Sequence, residues 1–581
     1  MARCKIPYGL SDYQKIKQEQ YVYVDKTRFI EILENLNTSY PVFLRPRRFG
    51  KTLLVSTLQY YYDKNCADKF DTLFGDTYIG THKTALANHY YVLRLDFSKL
   101  DAESEEKLKE SFYSSVRVRL DNFCVYYGLN ISIKESSDYN SADLLDGFLR
   151  NVNQIIGRKL YILIDEYDHF ANAILSNRQV FTKITSKEAF VRSFYEVFKT
   201  HTSGSCIDRI FITGVTSLTL DSLTSGFNIA QNVSMFPELN EMTGFTNDET
   251  KVLLKEVAVT SKERIEETME LLIENYNGYC FHKNAENKVF NSNMVLYFLD
   301  AYQRAKGIPD QLTDPNMTSD YQKLTAMFDL FEEEEETKQA VLEQIMSNES
   351  LETDIITNFD FHSHFRKADF LSLLFYLGLL TIKGEGTLYD VQLQTPNYVI
   401  RDIYYQYYSN YLQVHPEEMR NAVGMIALYN DFGEYNKLIE SILKLHKENP
   451  PHLRSAESSD EDYKDFRESR LKSIMLSCFG NQKFFLVKSE YPVNGKRIDI
   501  ALFDRRRRDQ KTRTKYNYLL EIKYIPKAQA SATRIEAIKV QATSQMKEYL
   551  QLEEFAGDAN LRGYVYVVVK DNIIYFAEVT R

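Results

Sequence analysis

The sequence predicts a multidomain α/β protein with a parallel-sheet unit at its N-terminal end and a second, separate α/β unit at its C-terminal end. Three observations point there. Up to residue 246, short apolar runs alternate with helical stretches, the pattern of a parallel sheet covered by helices. Residues 447–462 are rich in Pro, Ser and acid and poor in apolar side chains, as a linker is. Beyond them, residues 463–581 return to alternating strand and helix signals.

The elements follow in order. The runs Pro41–Leu44, Tyr91–Phe97, Leu160–Ile164 and Arg209–Thr213 are almost continuously hydrophobic, as strands buried on both faces should be. Residues 247–347 turn helical, with Glu332 to Glu336 as a solvated acidic face, and are expected to form a helical lid. In 348–446, the apolar stretch Phe370–Leu380 precedes a Gly384-Glu385-Gly386 turn and the strand-like Tyr389–Gln394. A helix followed by a short hairpin suggests a winged-helix-like module. The tyrosine tracts Tyr60–Tyr62 and Tyr404–Tyr408 read as packing rather than base-stacking platforms.

Composition narrows the function. A chain of 581 residues accommodates roughly three to five domains. Its net charge of −10 excludes nucleic-acid binding by bulk electrostatics and confines any such contact to a local basic patch. The 6 cysteines contain no Cys-x-x-Cys pair, which disfavours a disulfide framework or a thiolate zinc site and fits reduced thiols. The start MARCKIPYGL lacks an apolar signal core. The longest apolar run, Leu373–Ile382, is half of the roughly 20 residues a membrane helix needs. A cytoplasmic protein without a membrane span is expected.

Two stretches carry phosphate chemistry. The first, Arg45-Pro-Arg-Arg-Phe-Gly-Lys-Thr52, follows a strand and opens a helix. There, backbone N–H groups and the helix dipole hold phosphates, Lys51 reaches the β- and γ-phosphates, and Thr52 takes Mg²⁺. The pattern G-x-x-x-x-G-K-[ST] asks for Gly where this chain has Arg45. An ordinary basic turn is the plain alternative. The strand ending in Asp165-Glu166 favours the nucleotide, with Asp165 binding Mg²⁺ through water and Glu166 polarising the attacking water. Candidate ATP contacts are therefore Arg48, Phe49, Gly50, Lys51 and Thr52, with Asp165 and Thr213 behind them. Thr213 and Ser217 have two readings, a γ-phosphate sensor and a helix cap. Arg47 and Arg48 likewise either touch phosphate or are solvated, and for Lys26 the sequence alone favours no role.

The second stretch is Lys496-Arg-Ile-Asp499 followed by Glu521-Ile-Lys523. Alternate residues of a strand share a face, so Glu521 and Lys523 project together and Asp499 can meet them from the preceding strand. Asp499 and Glu521 can hold Mg²⁺ with water to spare, and Lys523 can orient that water or stabilise charge at a phosphodiester. Between them, Arg505–Arg508, Lys511, Arg513 and Lys515 form a basic loop that either tracks a nucleic-acid backbone or is merely solvated. His362-Ser-His364 beside Asp360 reads as surface or packing rather than a metal cluster.

Pro7–Asp12, Tyr23–Lys26, Arg45–Thr52, Leu163–Asp168, Thr213–Ser217 and Asn277–Phe281 together resemble the AAA-ATPase-like proteins of bacteria that carry a C-terminal PD-(D/E)XK nuclease domain. The resemblance spans nearly the whole chain and makes Arg at the first loop position usual. It implies a P-loop ATPase (1–246), a helical lid (247–347), a winged-helix-like module (348–446), a linker (447–462) and a restriction-endonuclease-like domain (463–581). It also implies a supporting Gln on the last long helix, Gln545, with Gln541 as competitor. The expected function is an ATP- and Mg²⁺-dependent ATPase that controls a nuclease, with DNA ahead of RNA as partner through Arg505–Lys515. The alternative is a nucleotide-switch interaction protein that binds nucleic acid without cutting. An arginine finger supplied in trans would require a homo-oligomer, and no Arg is singled out for it.

Overall fold

The computed structural model describes residues 4–581 other than 102, 134–137, 170–189, 218–228, 258–261, 310, 315–323, 326, 329, 348, 358, 360–364, 449–467, 481, 483 and 505–513. The His362–His364 pair, most of the 447–462 linker and Arg505 to Arg513 therefore lie outside the described residues. Contacts group the chain into two compact units, residues 1–332 with 352–398 and residues 333–351 with 399–581. Among the described residues no helix is long and apolar enough to cross a membrane.

The first unit is built on β1 (Pro41–Leu44), β2 (Tyr91–Asp96), β3 (Leu160–Asp165), β4 (Ile207–Gly214) and β5 (Gln231–Asn232), ordered β2-β3-β4-β1-β5. Every pairing is parallel, and β1 and β3 are buried along their whole length, which is why they read as unbroken apolar runs. β4 lies between β1 and β3, so the loop after β1 and the acids ending β3 stand on either side of the end of β4. Such a change of strand order at the C-terminal edge is where open α/β sheets take ligands.

Helices cover this sheet. Lys51–Tyr62 packs with Tyr13, Phe29, Phe70 and Phe74 into an aromatic-rich core in which Tyr61 and Tyr62 are buried. Helix Glu105–Tyr127 begins at Ser104, whose hydroxyl accepts from Lys107 N–H, and stops at Gly128 in the left-handed region, φ 65°. Helices Asn247–Val257, Lys262–Tyr276 and Ser292–Ala305 follow the sheet. Helix Lys367–Tyr376 then leads into the antiparallel hairpin β7 (Thr381–Glu385) and β8 (Val391–Gln394), with β6 (Leu351–Thr353) on the far side of β8. Helix and hairpin thus form in the expected order. Contacts group residues 352–398 with the first unit and 399–448 with the second, so the stretch 348–446 is shared between them.

The second unit holds β9 (Phe485–Val493), β10 (Lys496–Asp504), β11 (Asn517–Ile525), β12 (Leu561–Val569) and β13 (Asn572–Val579), ordered β13-β12-β11-β10-β9. Only β11 and β12 pair in parallel, and helix Ala532–Leu550 makes that crossover. β9 and β10 are joined by the two-residue turn Asn494-Gly495, with φ 46° and 75°, the left-handed pair a tight hairpin requires. The turn sets Lys496 opposite Val493 and so determines which face each later residue of β10 occupies.

Candidate functional site

At the end of β1 the chain turns through Arg45–Gly50 into helix Lys51–Tyr62. Gly50 caps that helix at φ 87°, and Arg48 is also left-handed at 69°. Left-handed residues in such a loop let successive N–H groups converge on an anion. Lys51 is only 5% exposed, and its Nζ donates to the carbonyls of Arg45 (2.9 Å) and Pro46 (3.0 Å). Burial pulls its pKa down to about 8, against the upward pull of Glu166, Asp168 and Asp165.

Arg45, which stands at the loop's first Gly position, points away from this turn. Its buried guanidinium donates to the carbonyls of Leu44 (2.9 Å), Ser234 (2.6 Å) and Leu239 (2.9 Å). It also lies 4.0 Å from the ring centre of Phe281 and 4.3 Å from that of Phe43. Arg45 is a buried clamp that ties the end of β1 to the 234–239 segment. Phe49 packs edge-on against Tyr279 and Phe281, so the Asn277–Phe281 motif supports the loop from beneath. Gly278 in that motif must be glycine, because a Cβ there would meet the Pro396 carbonyl at 2.0 Å.

The acids ending β3 diverge. Asp165 is buried, accepting from the Thr213 hydroxyl (2.7 Å) and from Arg94 (3.1 Å), and burial raises its pKa. Glu166 adopts φ 54° and pairs with His169 Nδ1 at 3.0 Å, which holds its pKa low. Asp168 accepts from Val215 N–H (3.0 Å), Thr216 N–H (2.6 Å) and the Thr216 hydroxyl (2.7 Å), locking β3 to the end of β4. Gly214 lies under Tyr167, where a Cβ would come within 2.4 Å of the ring.

Arg48, Phe49, Gly50, Lys51, Thr52 and Glu166 line one cavity of about 430 Å³. That volume is in the range of cofactor sites. Asp165 and Thr213 stand behind it, bonded to each other. The opposite wall includes Gly9, Leu10, Val24 and Lys26, so the N-terminal motifs face the loop. Lys26 pairs with Glu249 at 2.6 Å. Helix Ser292–Ala305 meets the loop end-on: the Ser292 hydroxyl and Asn293 N–H both donate to the Arg48 carbonyl (3.2 and 3.3 Å). Asp314 gathers the Tyr8 hydroxyl (2.7 Å), the Asn293 amide (3.3 Å) and the Arg48 guanidinium (3.7 Å). Nothing in the spacing of Ser292, Asn293 or Asp314 marks them in the sequence.

In the second unit, β10 and β11 bring Asp499 and Glu521 together. Asp499 accepts from Ile522 N–H (2.7 Å), and its other oxygen contacts Lys472 Nζ at 2.6 Å. Glu521 is fully buried; Lys523 Nζ stands 2.7 Å from Oε1, yet neither carboxylate oxygen has a well-directed hydrogen bond. Burial and the neighbouring Asp499 raise its pKa to about 7, against Lys523 and Lys472. Burial lowers the pKa of Lys523, but Asp499 and Glu521 outweigh it and the net shift is upward. Lys472 also touches Glu490 (3.0 Å) and Glu468 (3.6 Å). Lys472, Glu468 and Glu490 were not evident from sequence; a Glu–Lys pair four apart on helix Glu468–Gly480 is the only signal they leave. Gln545 donates to the Tyr549 hydroxyl (2.5 Å), which donates to the Arg497 carbonyl (2.8 Å). Gln545 thus reaches β10 through Tyr549.

Among the described residues no group of three or more His, Cys, Asp or Glu is arranged to hold a metal. The two carboxylates nevertheless fit a hard cation. Glu521 offers two buried oxygens, one of them beside the Lys523 ammonium, and a Mg²⁺ held there would complete its shell with carbonyl and water oxygens.

Residues 7–224 match the family described as predicted AAA-ATPase, and residues 466–578 match the PD-(D/E)XK nuclease superfamily. A protein of Azotobacter chroococcum mcd 1, described as an uncharacterized protein in the vnfD 5' region, is 25% identical over 301 residues, 51% of this chain and 52% of that protein. The chain spans about half the length of that curated relative. No solved structure matches. The chain thus carries an AAA-ATPase-like domain over residues 7–224 and a PD-(D/E)XK nuclease superfamily domain over residues 466–578.

Proposed function

We propose that this protein binds and hydrolyses ATP at the loop after β1 and cleaves phosphodiester bonds of nucleic acid, DNA ahead of RNA, at Asp499, Glu521 and Lys523. The observation that carries the reading is Glu521: a fully buried carboxylate beside a second carboxylate, with the Lys523 ammonium 2.7 Å from one of its oxygens. Burying a carboxylate against a second carboxylate, with a lysine ammonium at one oxygen, is costly for packing alone and is common where a site needs it. Asp499 and Glu521 would hold Mg²⁺, which supplies an activated water and neutralises developing charge. Lys523 would steady the negative charge on the phosphate. Gln545 acts by positioning β10 through Tyr549.

At the ATP site, Lys51 would turn from the loop carbonyls to the phosphates, and Thr52 with Asp165 would hold the nucleotide's Mg²⁺. Glu166, kept ionised by His169, would take the proton of the attacking water. Thr213 positions Asp165. Phosphates in the loop would be felt at the Arg48 carbonyl and passed to helix Ser292–Ala305 and Asp314 within the same unit. That ATP controls cutting is part of the proposal and rests on both sites sharing one chain.

The test is Mg²⁺-dependent cutting of plasmid and single-stranded DNA by the full-length protein, with and without ATP. Glu166→Gln should lose hydrolysis and keep ATP binding. No cutting by the wild type under any condition, or equal cutting by Asp499→Ala, removes the nuclease reading.

A further inference from the structure

A groove of about 580 Å³ runs between the start of β10 and helix Ala532–Leu550. Lys496 and Arg497 form one wall; Gln541, Ser544, Gln545, Glu548 and Tyr549 form the other. The helix residues recur at three- and four-residue steps, so one face of the helix is turned to the groove. Its charges are unequal. Glu548 is paired with Lys496, leaving these two neutral together. Among the described residues, no ion pair or hydrogen bond engages the exposed guanidinium of Arg497. The opposing Gln541 and Ser544 are exposed and uncharged. An unpaired guanidinium facing amide and hydroxyl groups suits an anion with many acceptor oxygens.

The place of Arg497 gives that anion its identity. Arg497 lies two residues before Asp499 on the same strand, about 7 Å along it and on the same face. That is roughly one nucleotide step along a strand. Its backbone is held by the relay from Gln545 through Tyr549 to the Arg497 carbonyl.

We propose that this groove binds the sugar-phosphate backbone of a nucleic-acid strand entering the Asp499 site, with Arg497 on a phosphate next to the one cut. Gln541 and Ser544 are neutral donors to the same strand, and Gln545 and Tyr549 are positioning residues for Arg497. Contact through backbone alone reads no sequence. The inference rests on the nuclease reading and adds where the substrate lies.

The experiment measures binding of fluorescein-labelled oligo(dT) and oligo(rU) to the full-length protein in EDTA, by anisotropy over a range of KCl concentrations. Arg497→Ala should weaken binding about tenfold and flatten the slope of log K against log salt by about 0.7. Arg497→Lys, which keeps the charge, should keep the slope. Tyr549→Phe should weaken binding with the slope unchanged, because it releases the backbone without removing a charge. Binding by Arg497→Ala with wild-type affinity and slope overturns the inference while leaving cutting at Asp499 to stand or fall by Asp499→Ala. A wild type that neither binds nor cuts either strand overturns both. The preferred strand distinguishes DNA from RNA as the substrate.

Discussion

Lys472 Nζ stands 2.6 Å from Asp499 Oδ1, so the ammonium in contact with the candidate nuclease aspartate comes from helix Glu468–Gly480 and not from Lys523 of the motif. The same ammonium touches Glu490 and Glu468, and the charge of Asp499 is thereby balanced from inside the fold. A divalent ion at Asp499 meets this resident cation.

Replacing Lys472 with Met should therefore tighten divalent-ion binding, by about tenfold or roughly 1.4 kcal/mol. Calorimetric titration of the full-length protein with Ca²⁺ reads this directly. Binding that is unchanged or weaker would mean that Lys472 does not compete for Asp499.

Glu521 sets a pH dependence of stability. Its pKa in the folded protein is about 7, against an ordinary 4.5. Between those values the unfolded chain is ionised while the folded one holds a proton, so stability falls as pH rises through that window and the loss is complete above it. In EDTA, Glu521→Gln should melt higher than wild type at pH 8, by a stabilisation of about 3 kcal/mol. The two proteins should converge near pH 4.5. A constant difference at both pH values would exclude this origin.

Lys51 gives the proposed ATP site a pH limit of opposite origin. Burial lowers its pKa to about 8, so below that pH the ammonium is charged and ready for phosphate. Above it, binding must first recover a proton. ATP affinity should be level below about pH 8 and fall by up to about tenfold per unit beyond it. Equilibrium titration with a fluorescent ATP analogue across pH 6.5–9.5 tests the break, and a flat profile would contradict it.

Restoring glycine at the first loop position should harm the protein. Arg45→Gly removes donors from the Ser234 and Leu239 carbonyls and empties the space between Phe43 and Phe281. A loss of about 3 kcal/mol is expected, from unsatisfied acceptors and a cavity together. Thermal melting should show the drop, with ATP binding weakened rather than improved.

What the sequence disclosed followed from the physics of each element. β1 and β3 were legible because strands buried on both faces must be apolar throughout, and the loop and Asp165-Glu166 are local in sequence. Asp499 and Glu521 were legible because a strand's two-residue period puts Glu521 and Lys523 on one face. The role of Arg45 was not: two of its acceptors are backbone carbonyls 189 and 194 residues away, and a carbonyl has no residue identity. Lys472 was hidden because a lysine on a helix looks the same whether it meets solvent or a carboxylate. β9 could have been found from Asn494-Gly495, a hairpin signal between two apolar runs.

That turn bears on more than the shape of a hairpin. β10 starts from it, so whether Asp499 faces Glu521 or the opposite side depends on an even or odd count from Gly495. One residue inserted there would carry Asp499 out of phase and turn its apolar neighbours toward the site, while two would bring it back. The parity of a two-residue turn thus decides whether Asp499 meets Glu521 at all, although neither residue of the turn touches them.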